Sequence, residues 1–281
     1  MKLSTCAKLN LTLDVLGRRS DGYHDMQMIM QSVDLRDTVD VTFNESGDVF
    51  TKCGGVCSAD NLASKAVMAY SDASGIPIGA DIIIDKHIPI CGGLGGGSAD
   101  AAAVLTALEI TFGALGRQRL MNVALSLGAD VPFAMIGGTA FAAGVGEKIE
   151  PLKPLPDCSI VLASAGVKNS TGKMFAELDH SDMIMHPDTD AAIAAIDRSD
   201  LEGASKLFCN SFAPLWKGDV PEKIRTIMTD SGAMCCSLSG AGPTMFGIFD
   251  DERRARECRD SLAEFTQSYL CHPTGESINV I

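Results

Sequence analysis

The stretch "GGLGGGSADAA", residues 92–102, constrains this chain more than any other. Five glycines fall in six positions, and alanines follow at once. Glycine tolerates positive φ and lets other groups approach the backbone closely, whereas alanine is the strongest helix former. Before the run comes "ADIIIDKHI", an apolar stretch of strand type. Strand, glycine loop and helix in that order present unpaired backbone N–H groups and a positive dipole end to whatever lies in the loop. That arrangement suits an anion, phosphate above all. One or two glycines would serve a tight turn, so five argue for a cradle.

Two familiar phosphate loops do not fit. A dinucleotide fingerprint G-x-G-x-x-G starting at Gly93 needs glycine where Ser98 stands. In "GVKNSTGKM" one residue too many separates Gly166 from Gly172 for a P-loop, and Met174 follows Lys173.

The chain has 281 residues, 46% of them hydrophobic, and a formal net charge of −13. A core for one large unit or two modest domains is available. An acidic balance argues against a nucleic-acid surface, where Lys and Arg must neutralise phosphates, so any phosphate site is local. The opening residues contain no continuous apolar segment, and no run of eighteen apolar residues occurs; the expectation is a cytoplasmic protein without a membrane span. The ten cysteines read as reduced, mostly buried thiols. Neither the Cys53/Cys57 pair nor the Cys235/Cys236 pair has zinc-site spacing.

Leu3, Ala7, Leu9, Leu11, Leu13 and Val15 fall at odd positions, which predicts a half-buried strand with Lys8 and Asn10 on one polar face. "GRRSDGYH" reads as a turn, "SVDLRDTVDVTF" as a second strand and "ADIIIDKHI" as a third. "DNLASKAVMAYSDASG" predicts a helix opening near an Asp cap and closing at Gly75. "SADAAAVLTALEITFG" predicts another, with Ser98 as cap and Gly113 as stop, and "RQRLMNVALSLG" a third ending at Gly128. Asp130 then falls on a bend, with Val131 pushed to extended geometry by Pro132. "EKIEPLKPLPD", with three prolines, is the candidate linker after the strand "GTAFAAG". Beyond it come strands at "SIVLAS", "CCSLS" and "TMFGIF", a helix at "DERRARECRDSLAEF" and a final strand. Strands alternating with helices imply two α/β or α+β layers, taken together as an α+β chain divided as 1–150 and 151–281.

"IPICGGLGGGSADAA" resembles the second motif of the galactokinase, homoserine kinase, mevalonate kinase and phosphomevalonate kinase (GHMP) superfamily. "AKLNLTLDVLGRRSDGYHDMQMIMQSVDLRD", "LGADVPFAMIGGTAFAAGVGE" and "SLSGAGPTMFGIFD" are similar to the branch acting on 4-diphosphocytidyl-2-C-methyl-D-erythritol, in that branch's motif order. The resemblance implies a two-domain fold, an N-terminal α/β nucleotide-binding domain followed by a C-terminal ferredoxin-like α/β domain. It implies ATP and Mg2+ as cofactors and phosphorylation of the 2-hydroxyl of that small molecule, in non-mevalonate isoprenoid precursor synthesis. The partners it implies are the small molecule alone, with no nucleic acid and no membrane, on a monomer or weak homodimer.

By the same resemblance Asp130 is the general base, and Lys8 steers it and stabilises charge developing on the transferred phosphoryl group. Asn10, Tyr23 and His24 receive the substrate, the ring of Tyr23 stacking and His24 hydrogen-bonding at the cytidine end. Asn61, Leu62 and Lys86 line the adenine pocket. Pro89, Ile90, Cys91, Gly92, Gly93, Leu94, Gly95, Gly96, Gly97, Ser98 and Ala99 wrap the phosphates. "LSGAGPT" either closes the site over the substrate or is an ordinary strand connection. The chain departs from the pattern twice. Val167 stands where relatives often carry a cytosine-stacking aromatic, two residues before the "NST" of this chain. Gly97 stands where mevalonate kinases have serine, which leaves the Mg2+ ligands unassigned. A homoserine or mevalonate kinase, or a non-catalytic protein on the same fold, are the rival readings.

Overall fold

The computed structural model describes residues 1–54, 56–57, 61–167, 170–181 and 183–281. In chain order its elements are β1 (Lys2–Arg18), β2 (His24–Asn44), β3 (Val49–Cys53), β4 (Val56–Cys57), α1 (Leu62–Ser74), β5 (Gly79–Asp85), α2 (Gly96–Phe112), α3 (Gly116–Leu127), α4 (Asp130–Ile136), β6 (Thr139–Gly144) and β7 (Lys148–Pro151). There follow β8 (Ser159–Ser164), α5 (Thr171–Leu178), α6 (Thr189–Asp197), α7 (Leu201–Ser205), α8 (Asp219–Asp230), β9 (Cys235–Leu238), β10 (Thr244–Phe249), α9 (Glu252–Ala263), β11 (Ser268–Cys271) and β12 (Ile278–Val280).

One sheet runs β12-β1-β2-β5-β3-β4, and β6 joins β2 and carries β7. The other runs β11-β8-β10-β9. Its strands and helices follow as β8, α8, β9, β10, α9, β11, which is the ferredoxin-like arrangement expected, with α5 to α7 inserted after β8. The last strand, β12, returns to pair with β1. Among the described residues no helix is long and apolar enough to cross a membrane.

The long β1 forms as the alternation predicts, but it is not half-buried. Thr5 to Val15 are buried on both faces. Helix α2 packs against β1, and residues 209–211 run beside its far end, where Leu13 donates to Cys209 O and accepts from Ser211 N. Register shifts at Cys6/Ala7 and Asn10/Thr12 further break strict alternation. The polar side chains on this strand are therefore held inside the molecule, where each needs a partner.

Helix α2 is the hub of the first layer. Ala99 to Leu105, Ala107 and Leu108 are buried, so alanine here serves close approach to β1, β2, α1 and α4. Full burial of each leucine is worth roughly 1.5–3 kcal/mol. Gly113 ends the helix at φ 60 as expected, but Ser98 is not its cap. Gly95 occupies that place at φ 70, no side chain caps the helix, and Ser98 sits inside the first turn. The glycines start the helix three residues early and leave its N–H groups open.

Three further expectations shift. Asp130 is not on a bend but is the first residue of α4, and Val131 is helical, because Pro132 in a first turn loses no hydrogen bond the helix would have made. The first part of the expected linker is β7, paired with β6; only the chain after Pro151 crosses to the second layer. Strand β2 starts at His24, not at the second predicted strand, because a methionine-rich central strand buried on both faces lacks a period-2 signal. Helix α1 is capped by Asn61, whose Oδ1 accepts from Ala63 N at 2.9 Å. The Asp60 expected there, Asn169 of the "NST" motif and the Cys57 side chain lie outside what is described.

Candidate active site

One cavity of about 1330 Å³ lies where α2, α4 and the β1–β2 hairpin meet α5 and the 240–241 turn. Lys8, Asn10, Tyr23, His24, Asn61, Leu62, Lys86, Asp130 and the loop from Pro89 to Ser98 all line it. Ala99 does not; it is buried in α2, its N–H given to Gly95 O.

At one end the glycine loop meets β1 and the 239–244 turn. Lys8 N donates to Leu94 O at 2.9 Å, and Thr244 N to Gly92 O at 3.3 Å. A Cβ on Gly93 would lie 2.6 Å from Ser239 O and 2.8 Å from Gly242 O, a backbone-on-backbone contact only glycine allows. Ser239 is the rivet. Its hydroxyl accepts from Asn10 N at 3.4 Å and donates to Gly93 O at 3.1 Å, so three sequence-distant motifs converge on one buried oxygen.

Next along β1 stands the charged centre. Lys8 is 7% exposed; its Nζ donates to Asn10 Oδ1 at 2.7 Å and lies 3.3 Å from Asp130 Oδ2. Asn10 Nδ2 turns to Met28 Sδ at 3.2 Å, which fixes the carboxamide with its oxygen toward the lysine. Asp130 opens α4, whose N-terminal dipole favours a negative charge.

Lys86, expected at the adenine pocket, lines the cavity and is held in a charge cluster. Its Nζ donates to Asp37 Oδ2 and, at 2.8 Å, to Asp100 Oδ2. Asp37 Oδ1 accepts from His87 N at 2.6 Å and Ile88 N at 2.8 Å. Burial pulls the Lys86 ammonium down, but Asp100 and Asp37 more than offset it and hold it above the usual lysine range. Burial pushes the Asp100 carboxyl up to about 7 against the pull of Lys86, with Asp37 adding to the rise.

At the far end of the hairpin, where His24 pairs with Arg18, an aromatic and acidic cluster forms. The His24 Nε2 lies 2.7 Å from Asp179 Oδ1, and Arg18 reaches Asp179 Oδ2 at 3.9 Å. The His24 ring stacks on Phe175 at 4.5 Å between centroids, and Phe175 meets Phe212 edge-on at 5.0 Å. Phe175 and Asp179 line the cavity and were not foreseen. Val167, where the family resemblance implied an aromatic, is 97% exposed and does not line it. The available signal was weak: an aromatic on the short helix α5, beside the buried Met174 and Leu178 that dock it. Tyr23 lines the cavity but is 66% exposed, on a turn held by Arg19 bridges to Asp21 and Asp25.

A glycine cradle on a helix start, beside a lysine and an aspartate, defines a small-molecule kinase of GHMP type. Accordingly, the GHMP kinases N terminal domain matches residues 61–138 and the GHMP kinases C terminal domain matches residues 191–267. A 4-diphosphocytidyl-2-C-methyl-D-erythritol kinase of Clostridium kluyveri is 40% identical, covering 93% of this chain and 95% of its own. A kinase of the same name from Caldicellulosiruptor saccharolyticus is 37% identical over 99% and 98%. A crystal structure of a 4-(cytidine 5'-diphospho)-2C-methyl-D-erythritol kinase superposes with a TM-score of 0.79 at 31% identity, covering 98% of this chain and all (100%) of that one. Homoserine kinase from Cytophaga hutchinsonii shares the fold, with a TM-score of 0.78 at 17% identity, covering 100% of this chain and 97% of that one. The chain belongs to the GHMP kinases, and among them to the 4-diphosphocytidyl-2-C-methyl-D-erythritol kinase family. It is an enzyme.

Proposed function

We propose that the chain transfers the γ-phosphoryl group of ATP to the 2-hydroxyl of 4-diphosphocytidyl-2-C-methyl-D-erythritol. The observation that carries this is the order along one hairpin: glycine cradle, then the Lys8–Asp130 pair, then the His24–Phe175–Asp179 cluster, in a single cavity. A nucleotide's phosphates, a reacting alcohol and a pyrimidine would need that sequence of sites.

The first N–H groups of α2 hold the phosphates, with Asn61 and Leu62 beside the adenine. Asp130 takes the proton of the substrate hydroxyl as it attacks. Lys8 aims that carboxylate and neutralises charge spreading over the phosphoryl oxygens, where it is worth most in the transition state. At the other end Phe175 offers a face to the base, and Tyr23 closes from the solvent side. A carboxylate can only accept, so Asp179 holds the His24 proton on Nε2 and leaves Nδ1 as an acceptor. An acceptor there selects the exocyclic amine of cytosine over the carbonyl of uracil. Residues 1–150 thus serve nucleotide and chemistry, and 151–281 contribute Phe175 and Asp179 to the substrate. Among the described residues no group of three or more His, Cys, Asp or Glu side chains could hold a metal ion.

The test is direct. With ATP and the cytidyl alcohol, ADP release and a new phosphomonoester at C2 by phosphorus NMR are expected, and homoserine and mevalonate should give neither. ADP release that ignores the cytidyl alcohol overturns the reading.

A further inference from the structure

Behind the glycine loop lies a buried group that the reaction leaves unused. Asp37 from β2, Lys86 just past the end of β5 and Asp100 from α2 form a cluster of two carboxylates and one ammonium. Both Asp37 oxygens are filled by N–H donors. Asp100 is not so satisfied. It is 2% exposed and lines the cavity, its Oδ2 accepts from Lys86, and its Oδ1 is buried with no hydrogen-bond partner. A buried acceptor left empty is costly, and a buried charge more so. The cluster also pins α2: a Cβ on Gly96, the first residue of that helix, would lie 3.0 Å from Lys86 Nζ.

The other charges around it are accounted for. β1 brings Lys8 against Gly95, but its ammonium faces Asp130 of α4. β3 brings the Cys53 thiol, itself raised by burial and then by Asp100. Lys86 is the cation in direct contact with Asp100, and Asp37 shares it. With every member charged, the cluster is one negative charge in excess, directly under the helix start proposed to hold a polyphosphate.

We propose that Asp100 is a positioning residue for the phosphate cradle that takes up a proton on Oδ1 when the nucleotide binds and releases it when the nucleotide leaves. A second anion in a dry site raises the cost of the first, and protonation at the empty oxygen is the relief that moves no backbone. The hydroxyl so formed keeps Oδ2 on Lys86, and α2 stays pinned. A carboxyl raised to about 7 by burial has its proton available in neutral solution. The sign follows: the anion raises the Asp100 pKa further, so nucleotide affinity is greater below that range and falls as pH rises above it, by at most about tenfold per pH unit for one proton.

This rests on ATP occupying the cradle. The test is calorimetric titration of the full chain with a non-hydrolysable ATP analogue, in buffers of different ionisation enthalpy, from about pH 6 to about pH 8. The nucleotide's own phosphate titrates in the same range, so the readout is wild type minus Asp100→Asn. We expect a difference approaching one proton per nucleotide, and a carboxylic-acid carbonyl band in the infrared difference spectrum of wild type alone. Equal proton uptake by both chains overturns the inference; absence of any nucleotide binding by wild type overturns the cradle instead. Should Asp100→Asn not fold, Lys86→Gln serves: losing the ammonium must move proton uptake to higher pH, and an unmoved midpoint refutes the role.

Discussion

The two ends of the cavity are built on opposite plans. The phosphate end is backbone: consecutive glycines, a helix start and a turn, with Ser239 fastening them. The base end is side chains drawn from distant places, His24 from β2, Phe175 and Asp179 from or just beyond α5, and Phe212 behind them. Backbone recognition needs glycines at fixed spacing and so leaves a run in the sequence. Side-chain recognition needs only that the fold bring a few residues together, so it leaves almost none.

The sharpest break between the ends should come from the charged centre they share. Asp130→Asn keeps the size of the side chain and its place at the start of α4 while removing the base. A loss of about 10²- to 10⁴-fold in kcat is expected, with ATP affinity nearly unchanged by equilibrium titration. Near-normal kcat would take the base role from Asp130.

The base end is probed next, by changing the ligand. Replacing the cytidyl substrate with its uridyl analogue sets a carbonyl against the His24 acceptor, a mismatch expected to lower kcat/KM roughly 10³-fold. Asp179→Ala frees the imidazole to take either tautomer, so the preference should shrink while ATP binding holds. A preference untouched by that change would mean that His24 does not read the base.

At the phosphate end, Gly95 is the obvious target in the sequence, and the structure argues against it. A Cβ there would lie 2.9 Å from Lys8 Cγ, at φ +70, so Gly95→Val would disturb the lysine together with the cradle. Gly97 is cleaner: it is exposed, lines the cavity, and its Cβ would meet nothing within 4 Å. Gly97→Val should weaken nucleotide binding by at least about tenfold, a loss of about 1.4 kcal/mol, with thermal stability nearly unchanged. Unaltered affinity would show that the open N–H groups of α2 do not hold the phosphates.

How much was legible follows from the same contrast. The strand carrying Lys8 and Asn10, the glycine loop that opens a helix, and the stops at Gly75, Gly113 and Gly128 rest on local patterns, and the structure has them; the ferredoxin-like second layer, which the family resemblance implied, is there too. Ser98 misled because a hydroxyl before an alanine run is a cap only when no glycine continues the helix upstream of it. Pro132 misled because proline restrains its predecessor in most contexts but fits a helix's first turn. The charge cluster of Lys86 was invisible, since Asp37 lies 49 positions away along the chain.

Val167 and Phe175 give the finest test, because sequence and structure point to different residues. The family resemblance puts a stacking aromatic at position 167, yet Val167 is almost wholly in solvent. Phe175 already stacks on His24 and leans on Phe212, so its ring is held for a base at little further entropic cost. Base stacking on an aromatic is worth about 1–3 kcal/mol by alanine substitution. Phe175→Ala should therefore raise KM for the cytidyl substrate about tenfold or more, with kcat less affected because the reacting atoms lie at the Lys8–Asp130 centre, away from the ring. Val167→Phe should change KM by less than about twofold, since an exposed substitution away from such features stays within about 0.5 kcal/mol. If instead Val167→Phe lowered KM strongly in steady-state assays while Phe175→Ala left it alone, the loop after β8 would have to fold over the substrate. The base end would then be completed by a moving segment, unlike the fixed backbone that makes the phosphate end.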